Sequence, residues 1–231
     1  MTELVVASAN RPFVEALGQI ADIGGRWSVI GGLAVWCHLG QSHRPTLDID
    51  AAAAGDAHET LVALGAPGHG SHRRIVEGVK VEVIEVIDPG SDLDTLDDKS
   101  RLFVTAHWAA AQLTTRVRVR CEELDVSVPV ARRLPLIACK LHAWLDRRDQ
   151  RADKRGSDGL DIVRLLHGAD WSEMADDSQT IPGLREAVSW AGEVVLDDQA
   201  PRVSRLIQVH TDESPPDVND IRALGRLLAR L

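Results

Sequence analysis

The chain contains the segment WSVIGGLAVWCHLG at residues 27–40, followed closely by RPTLDID at residues 44–50. A short apolar run ends at Ile30, and two glycines precede the next apolar run. This order predicts a strand over 27–30, a turn at Gly31-Gly32 and a helix over 33–39. Glycines between a strand and a helix let the backbone approach a phosphate, and the helix then presents free N–H groups to the anion. A simple tight turn is the alternative.

The second part of the segment alternates apolar and acidic residues, which predicts a half-buried strand over 47–51. Asp48 and Asp50 then share one face. The residues expected to face the core are Leu47, Ile49 and Ala51. Two neighbouring carboxylates on a sheet face offer the oxygen ligands that Mg²⁺ prefers, and two solvated surface acids are the alternative. A phosphate-binding turn followed by metal-binding carboxylates is typical of nucleotide phosphate chemistry.

A third carboxylate is expected from a neighbouring strand. Residues 72–76 and 79–87 are rich in β-branched side chains around Glu77-Gly78, which predicts a β-hairpin. Glu82 shares a face with Lys80, whereas Glu85 shares the apolar face. We therefore choose Glu82 as the third metal ligand and keep Glu85 as the alternative. A third interpretation is that both glutamates are only surface charges of the hairpin.

The composition excludes several classes of protein. The chain has 231 residues, of which 44% are hydrophobic and 26% charged, as in an average globular domain. No run approaches the ~18 apolar residues of a membrane span, and the first residues lack a signal-peptide pattern, so we expect a cytoplasmic protein without membrane contact. The three cysteines form no CxxC pair and have apolar neighbours, which predicts buried thiols.

The charge balance argues against general binding of nucleic acid. The formal net charge is -9, and aromatic residues make up only 3% of the chain, with no Tyr. A stacking platform for single strands is therefore not expected, although local basic patches can still contact RNA. The candidate basic residues are Arg116, Arg118, Arg120, Arg132, Arg133, Arg147, Arg148, Arg151, Lys154 and Arg155. A solvated face balanced by nearby acidic residues is the alternative.

The pattern along the chain changes near residue 130. Before it, strands over 116–120 and 124–128 follow helices over 11–23, 56–64 and 99–114. After it, the pattern predicts only helices, over 136–148, 159–167, 184–196, 201–210 and 217–231. We therefore predict an α/β (α+β) fold with two lobes. Residues 1–130 would form a mixed sheet with helices, and residues 131–231 would form an all-helical domain.

Two stretches resemble a known family. Residues 31–34 with residues 44–50 resemble the DNA polymerase β-like nucleotidyltransferase superfamily. Within it, ACKLHAWLDRR at residues 138–148 and DGLDI at residues 158–162 are similar to the lysine helix and acidic helix of the AbiEii-type (MenT-like) nucleotidyltransferase toxins. The resemblance covers residues 27–167. It departs at the glycine pair, where Gly-Ser is commoner, and at Ser157, where a lysine is frequent.

The resemblance implies a reaction and a set of site residues. Such proteins use an NTP and Mg²⁺, with two metal ions expected, and transfer the nucleoside monophosphate to an acceptor hydroxyl. A tRNA 3′ end is the expected acceptor, and a cognate antitoxin is a possible partner, as in type IV toxin–antitoxin and abortive-infection systems. The resemblance assigns phosphate binding to Gly31 and Gly32, metal binding and catalysis to Asp48 and Asp50, and catalysis to Lys140 and to Asp158 or Asp161. We add Glu82, chosen from the strand pattern, to the metal-binding and catalytic residues, and Arg44 and Thr46 of the matching stretch to the nucleotide-binding residues.

The residues themselves leave alternatives open. A lysine on a mostly apolar helix face, as predicted for Lys140, is often an edge residue with its ammonium in water. Asp158 and Asp161 lie three apart and can either orient Lys140 or support a helix N-terminus. The closest rival function is that of an aminoglycoside or lincosamide nucleotidyltransferase, which modifies a drug hydroxyl. A nucleotide-binding protein with a degenerate site is the rival outside catalysis.

Overall fold

The computed structural model of the chain describes residues 2–70, 72–90, 92–147, 151–211, 214 and 216–231. Within these residues the fold is mixed α/β, with an eight-stranded mixed sheet and ten α-helices. Among them, no helix combines the length and the apolar character that crossing a membrane requires. The chain divides into two compact units, Met1–Asp88 with His107–Arg132 and Pro89–Ala106 with Arg133–Leu231. We refer to them as the sheet unit and the helical unit.

The sheet unit carries every described strand. The strands are β1 (Thr2–Val5), β2 (Trp27–Ile30), β3 (Asp48–Ala53), β4 (Ala66–Pro67), β5 (Arg73–Val76), β6 (Val79–Glu85), β7 (Thr114–Cys121) and β8 (Leu124–Ala131). They lie in the order β1-β7-β8-β2-β3-β6-β5-β4. Its complete helices are α1 (Arg11–Ile20), α2 (Gly31–Leu39) and α3 (Asp56–Ala63), and the end of α4 (Asp98–Gln112) also belongs to it.

The central strands follow the predicted alternation. β3 runs antiparallel to β2 and parallel to β6, so its two edges are both paired. Ile49 and Ala51 are fully buried on one face of β3, and Val81 and Val83 continue that face on β6. Burying this apolar face fixes the register, because a slip by one residue would turn the acidic residues into the core.

The prediction for one residue of this strand is wrong. We expected Leu47 to face the core, but β3 begins at Asp48 and Leu47 is 82% exposed. The residue directly before Leu47, Thr46, is buried instead. The turn that positions residues 44–46 therefore ends with Leu47 in solvent, and the alternation of β3 begins one residue later.

The described elements of the helical unit are all helices. After the first part of α4 they are α5 (Arg133–Asp146), α6 (Ala152–His167), α7 (Trp171–Thr180), α8 (Leu184–Gly192), a π-helix (Glu193–Asp198), α9 (Ala200–Ile207) and α10 (Val218–Leu228). The fully buried side chains of Leu136, Ile137, Leu141 and Leu165 contribute to its core. Residues 89–106 join this unit although β7 and β8 follow them in the chain.

β1 and α7 are among the elements that the sequence pattern did not predict. β1 has four residues, of which only Leu4 is buried, and it lies parallel to β7 with Thr2 opposite Val117. That pairing joins distant parts of the chain and leaves no local signature. α7 contains few apolar residues, but the side chain of Asp170 accepts hydrogen bonds from the backbone N–H groups of Ser172 and Glu173 at 3.0 and 3.2 Å. An acid followed three residues later by Glu is the capping signal that would have revealed α7.

Candidate functional site

The three acids predicted as metal ligands lie next to one another on the sheet. Asp48 and Asp50 share one face of β3, and in the parallel pair with β6 Asp50 is opposite Glu82. Asp48 is opposite Lys80. Glu85 pairs with Ala53 at the far end of the strand and is exposed. The register therefore places Glu82, and not Glu85, beside the aspartates. We call Asp48, Asp50, Lys80 and Glu82 the carboxylate face.

The glycine pair lets this face approach the start of α2. Gly31 has a φ of +69°, in the left-handed region where an L side chain is strained. A Cβ on Gly31 would also collide with the carboxylate of Asp50. Since Gly31 begins α2, the Asp50 carboxylate lies at the positive end of the helix dipole, which stabilises its charge. Glycine is therefore needed here for both backbone conformation and space.

Two predicted nucleotide-binding residues lie against the second glycine. A Cβ on Gly32 would be 2.8 Å from Thr46 Oγ1 and 3.2 Å from Arg44 Nη2. The hydroxyl and guanidinium are hydrogen-bond donors, and guanidinium groups suit phosphate oxygens in particular. Sequence reasoning missed the residue that anchors this turn, Trp36 of α2, whose Nε1 donates to the carbonyl oxygen of Arg44 at 3.1 Å. The structure thus gathers the glycines, Thr46 and Arg44 at one helix terminus.

Sequence reasoning also missed two basic side chains that pair with the acids of the carboxylate face. Lys80 Nζ lies 2.7 Å from Asp48 Oδ2 and 3.3 Å from Glu82 Oε2, so it bridges two of the three acids. From β5, Arg73 Nε lies 3.1 Å from the same Glu82 oxygen. The alternation of β6 was the available signal for Lys80, whereas Arg73 reaches Glu82 only because the hairpin register sets them opposite each other.

These contacts set the charge state of the face. Burial alone would raise the pKa of Glu82, but hydrogen bonds from Arg73 and Lys80 outweigh it and lower the pKa below its ordinary value. Burial alone would lower the pKa of Lys80, but its hydrogen bond to Asp48 and the charge of Asp48 raise the pKa overall. Glu82 is therefore ionised and Lys80 protonated at neutral pH. The Lys80 side chain keeps 36% of its exposure, so water reaches this network.

The donors on this face fit a hard divalent cation in their chemistry. They are all carboxylate oxygens, and they occupy adjacent register positions on half-buried side chains. Among the described residues, however, no three acidic, His or Cys side chains converge closely enough to hold a metal. The ammonium of Lys80 lies between two of the acids. The ligand types therefore suit Mg²⁺, while their side chains are arranged around an internal cation.

The other three predicted catalytic residues form a separate cluster inside the helical unit. Lys140 Nζ on α5 lies 3.1 Å from Asp158 Oδ1 and 2.8 Å from Asp161 Oδ2 on α6. Asp158 Oδ2 also accepts from Arg147 Nε at 2.6 Å. We call Lys140, Arg147, Asp158 and Asp161 the buried ion cluster. The side chains of the lysine and the two aspartates are 8%, 2% and 0% exposed, so their charges are compensated within the protein.

This geometry decides between the alternatives for these residues. Lys140 is not an edge residue with its ammonium in water, because the side chain is buried and ion-paired. Asp158 and Asp161 do not support a helix N-terminus either, since α6 begins at Ala152 and both lie well inside it. Contact with Lys140 is what the two aspartates share, and three-residue spacing on α6 brings both to it.

The basic residues considered for RNA are largely engaged within the protein. Arg116, Arg118 and Arg120 are exposed along one face of β7, as predicted. Arg118 pairs with Asp125 at 2.7 Å and Arg120 with Glu3 at 2.8 Å, while Arg116 donates to the carbonyl oxygen of Ser127. This leaves little net positive charge along that strand.

The later basic residues separate into structural and exposed groups. Arg133 donates to the Leu165 carbonyl at 2.8 Å, and burial lowers its pKa. Arg155 is buried and donates to the carbonyl oxygens of Trp144 and Arg147. Arg151 and Lys154 are exposed, and Arg148 lies outside the described residues. A groove lined by this whole set is therefore not formed by the side chains that the structure describes.

Comparisons with protein-family models, with curated proteins and with solved structures gave no match. The carboxylate face and the buried ion cluster differ in their access to water. The carboxylate face is half-exposed and borders a glycine turn with nearby hydrogen-bond donors, an arrangement suited to binding a charged ligand. In the buried ion cluster, Lys140, Asp158 and Asp161 have little contact with water, which suits the two aspartates to holding Lys140 in one orientation.

Proposed function

We propose that this protein transfers a nucleoside monophosphate from an NTP to an acceptor hydroxyl, using the glycine turn and the carboxylate face. The observation that carries the proposal is the contact of Asp50 with Gly31, with Glu82 opposite Asp50 on the next strand. A turn that only reversed the chain would not require a carboxylate against its first glycine. The proposal includes the fold assignment, with the sheet unit as the nucleotidyltransferase lobe of a bilobed protein.

The triphosphate would bind at the start of α2. The first N–H groups of a helix lack intrahelical partners and attract anions. Arg44 and Thr46 add a guanidinium and a hydroxyl beside Gly32. Arg44 compensates phosphate charge and Thr46 donates one hydrogen bond, while the Trp36 contact keeps their turn in place.

Asp48, Asp50 and Glu82 are the residues that would hold Mg²⁺. When bound, Mg²⁺ supplies positive charge that offsets the negative charge of the reacting phosphates. In the transfer itself, the acceptor oxygen forms a bond to the α-phosphorus and its hydroxyl proton passes to solvent water. The bond from the α-phosphorus to the oxygen shared with the β-phosphate breaks, and pyrophosphate leaves with that electron pair. Because its pKa is lowered, Glu82 suits cation binding better than acceptance of the hydroxyl proton.

The resemblance gives Lys140 a catalytic role with Asp158 and Asp161, and we keep this role as a proposal. Its support is the pair of ion contacts that hold the ammonium at 3.1 and 2.8 Å from the two aspartates. A role in catalysis predicts a lower kcat per folded molecule for Lys140→Met and also for Lys140→Arg, although the arginine retains the positive charge. A purely structural role predicts that only the melting temperature changes.

An RNA 3′ end is the first candidate acceptor, as the resemblance to the AbiEii-type toxins suggests, and a cytoplasmic location and an antitoxin partner belong to the same proposal. A small-molecule hydroxyl is the second candidate, and a specific observation favours it. Two of the three exposed arginines of β7 are already paired with Asp125 and Glu3. A small acceptor needs no such basic strand, whereas RNA binding depends on cationic contacts and weakens steeply with salt.

The decisive experiment incubates the protein with each α-³²P-labelled NTP, Mg²⁺ and total RNA. Asp48→Asn and Asp50→Asn should each abolish labelling and leave the fold intact, because both acids lie on a half-exposed face. Asp125→Asn is the matched control, since it removes an acid from an ion pair of the same unit at 2.7 Å. Labelling that persists in both Asp48→Asn and Asp50→Asn would overturn the proposal.

A second experiment separates the acceptors. Replacing Arg116, Arg118 and Arg120 by Gln should raise the apparent KM for RNA and leave NTP binding unchanged if RNA uses this strand. Unchanged RNA labelling at low and moderate salt would remove that strand from the RNA path. Absence of RNA labelling, together with labelling of an aminoglycoside or lincosamide, would establish the small acceptor. Expression in growing cells gives the opposite phenotypes of growth arrest and drug resistance.

A further inference from the structure

Lys80 lies between two acids of the carboxylate face, at a position that a metal-binding face would be expected to leave open. Its ammonium bridges Asp48 Oδ2 at 2.7 Å and Glu82 Oε2 at 3.3 Å. The register favours this bridge, because Lys80 is the direct neighbour of Asp48 across the parallel pair and lies two residues before Glu82 on the same face. A cation supplied by the chain therefore already compensates these two acids.

We propose that Lys80 is an internal counter-ion that a divalent cation must displace, so that it sets the metal concentration at which the carboxylate face loads. This inference rests on the proposed function, since it takes Asp48 and Glu82 as metal ligands. An ammonium and a divalent cation cannot both lie against the same carboxylate oxygens, because like charges at that separation repel strongly. Loading then requires the lysine to move away.

The surroundings of Lys80 make such a movement feasible. Its side chain is 36% exposed and those of Asp48 and Glu82 are each 32% exposed, so the released ammonium can enter water without a large desolvation cost. Ion pairs of this exposure contribute little net stability. Arg73 Nε also lies 3.1 Å from Glu82 Oε2, so a divalent cation on that oxygen must displace Arg73 as well as Lys80. Among the described residues Asp48 forms its ion pair with Lys80, so Asp48 is the acid that the departure of Lys80 frees for a metal ion.

The test measures binding of Mn²⁺ alone to the full-length chain, from the electron paramagnetic resonance signal of free Mn²⁺. Lys80→Gln should bind Mn²⁺ at least about tenfold more tightly than the wild type, because a unit positive charge next to the ligands is gone. Lys80→Met should do the same, and it keeps the aliphatic stem in case Gln disturbs packing. Lys80→Arg should remain as weak as the wild type.

Two controls identify the site. Lys99→Gln removes the same charge from an ion pair in the helical unit, where Lys99 Nζ lies 2.6 Å from Asp146, and should leave Mn²⁺ binding unchanged. Adding Asp48→Asn to Lys80→Gln should abolish the gain. A melting curve of each variant without metal verifies its fold, and added Mn²⁺ should raise the melting temperature of Lys80→Gln at a lower concentration than that of the wild type.

The possible failures are distinguishable. If Asp48→Asn weakens Mn²⁺ binding but Lys80→Gln binds as the wild type does, the acids hold metal and the role of Lys80 is wrong. If Mn²⁺ binding ignores Asp48→Asn and Asp50→Asn in every background, the metal site itself is wrong, and the proposed function fails with it. A gain in Lys80→Gln that survives the added Asp48→Asn would place the metal elsewhere and would also overturn the inference.

Discussion

The carboxylate face and the buried ion cluster both place one lysine between two acids, yet they differ sharply in their access to water. Lys80 lies 2.7 and 3.3 Å from its partners with 36% of its side chain exposed, whereas Lys140 lies 3.1 and 2.8 Å from its partners with 8% exposed. An exposed pair can exchange its partner for a solvated ion at small cost. A buried pair cannot, because the partner that stays behind keeps an uncompensated charge.

The difference suggests different duties for two similar contacts. The lysine of the sheet unit is exchangeable, which suits a face that receives a ligand. The lysine of the helical unit is held in one orientation by Asp158 and Asp161, and Arg147 compensates the second charge. Distances alone do not distinguish the two cases; solvent access does.

The largest effect on stability should come from the buried ion cluster. Lys140→Met leaves Asp161, which is fully buried, without its ammonium partner, and should lower the free energy of unfolding by about 3–5 kcal/mol. Urea unfolding at neutral pH measures it. Lys80→Met on the exposed face should cost no more than about 1 kcal/mol. Equal losses for the two lysines would break the comparison.

A smaller loss is expected at the glycine turn. Gly31→Ala forces an L side chain to a φ of +69° and into the Asp50 carboxylate, and should cost about 1–3 kcal/mol while displacing Asp50. Gly18→Ala in α1 is the control, because its Cβ would meet no atom within 4 Å. That control should stabilise the protein by about 0.5–1 kcal/mol. A neutral Gly31→Ala would mean that Asp50 does not lie against the turn.

A still smaller effect on stability is expected from an exposed ion pair, Lys99 with Asp146, when the pH changes. The hydrogen bond from Lys99 lowers the pKa of Asp146 below its ordinary value. The stability it contributes is therefore present above the pKa of the unfolded chain and disappears as the pH falls through the lower folded value. Unfolding of the wild type and Asp146→Asn should differ slightly at pH 7 and converge at strongly acidic pH. A difference that grows on acidification would contradict the ion pair.

The smallest effect is expected on the labelling rates of two buried thiols, one in each unit. Burial raises the pKa of Cys37 and of Cys139 to about 12, so neither thiol is ionised at pH 8. In a Cys121→Ser background, both should resist a disulfide reagent in the native protein. In Lys140→Met, Cys139 should be labelled faster while Cys37 stays protected, as measured by peptide mapping. Faster labelling of Cys37 would mean that the loss spreads to the sheet unit.

Local pattern was enough for much of the sheet unit. The strand Trp27–Ile30 has its predicted bounds, and the exposed arginines of β7 alternate with buried Val117 and Val119 as expected. α2 begins two residues earlier than predicted, at Gly31, since its φ allows that glycine to start the helix. Period-two and period-3.6 patterns depend on a residue and its near neighbours, which is why they survive without a structure.

The same pattern failed where partners come from far along the chain. β1 exists because it pairs with β7, and residues 89–106 pack in the helical unit although strands follow them. Nothing near these residues in the sequence encodes either partner. The burial of Lys140 could not be predicted for the same reason. The pattern of α5 alone is amphipathic, and the two acids that pair with Lys140 come from α6.

By itself, the sequence determined which side chains could share a face: Asp48 with Asp50, Lys80 with Glu82, and Asp158 with Asp161. These relations follow from the fixed geometry of strands and helices, which any fold must respect. Only the tertiary structure decided which faces meet. Register put Glu82 opposite Asp50 and Lys80 opposite Asp48, and helix packing enclosed Lys140. The reason is physical: charge pairing and burial depend on distances between elements, and those are set by the packing of the whole core.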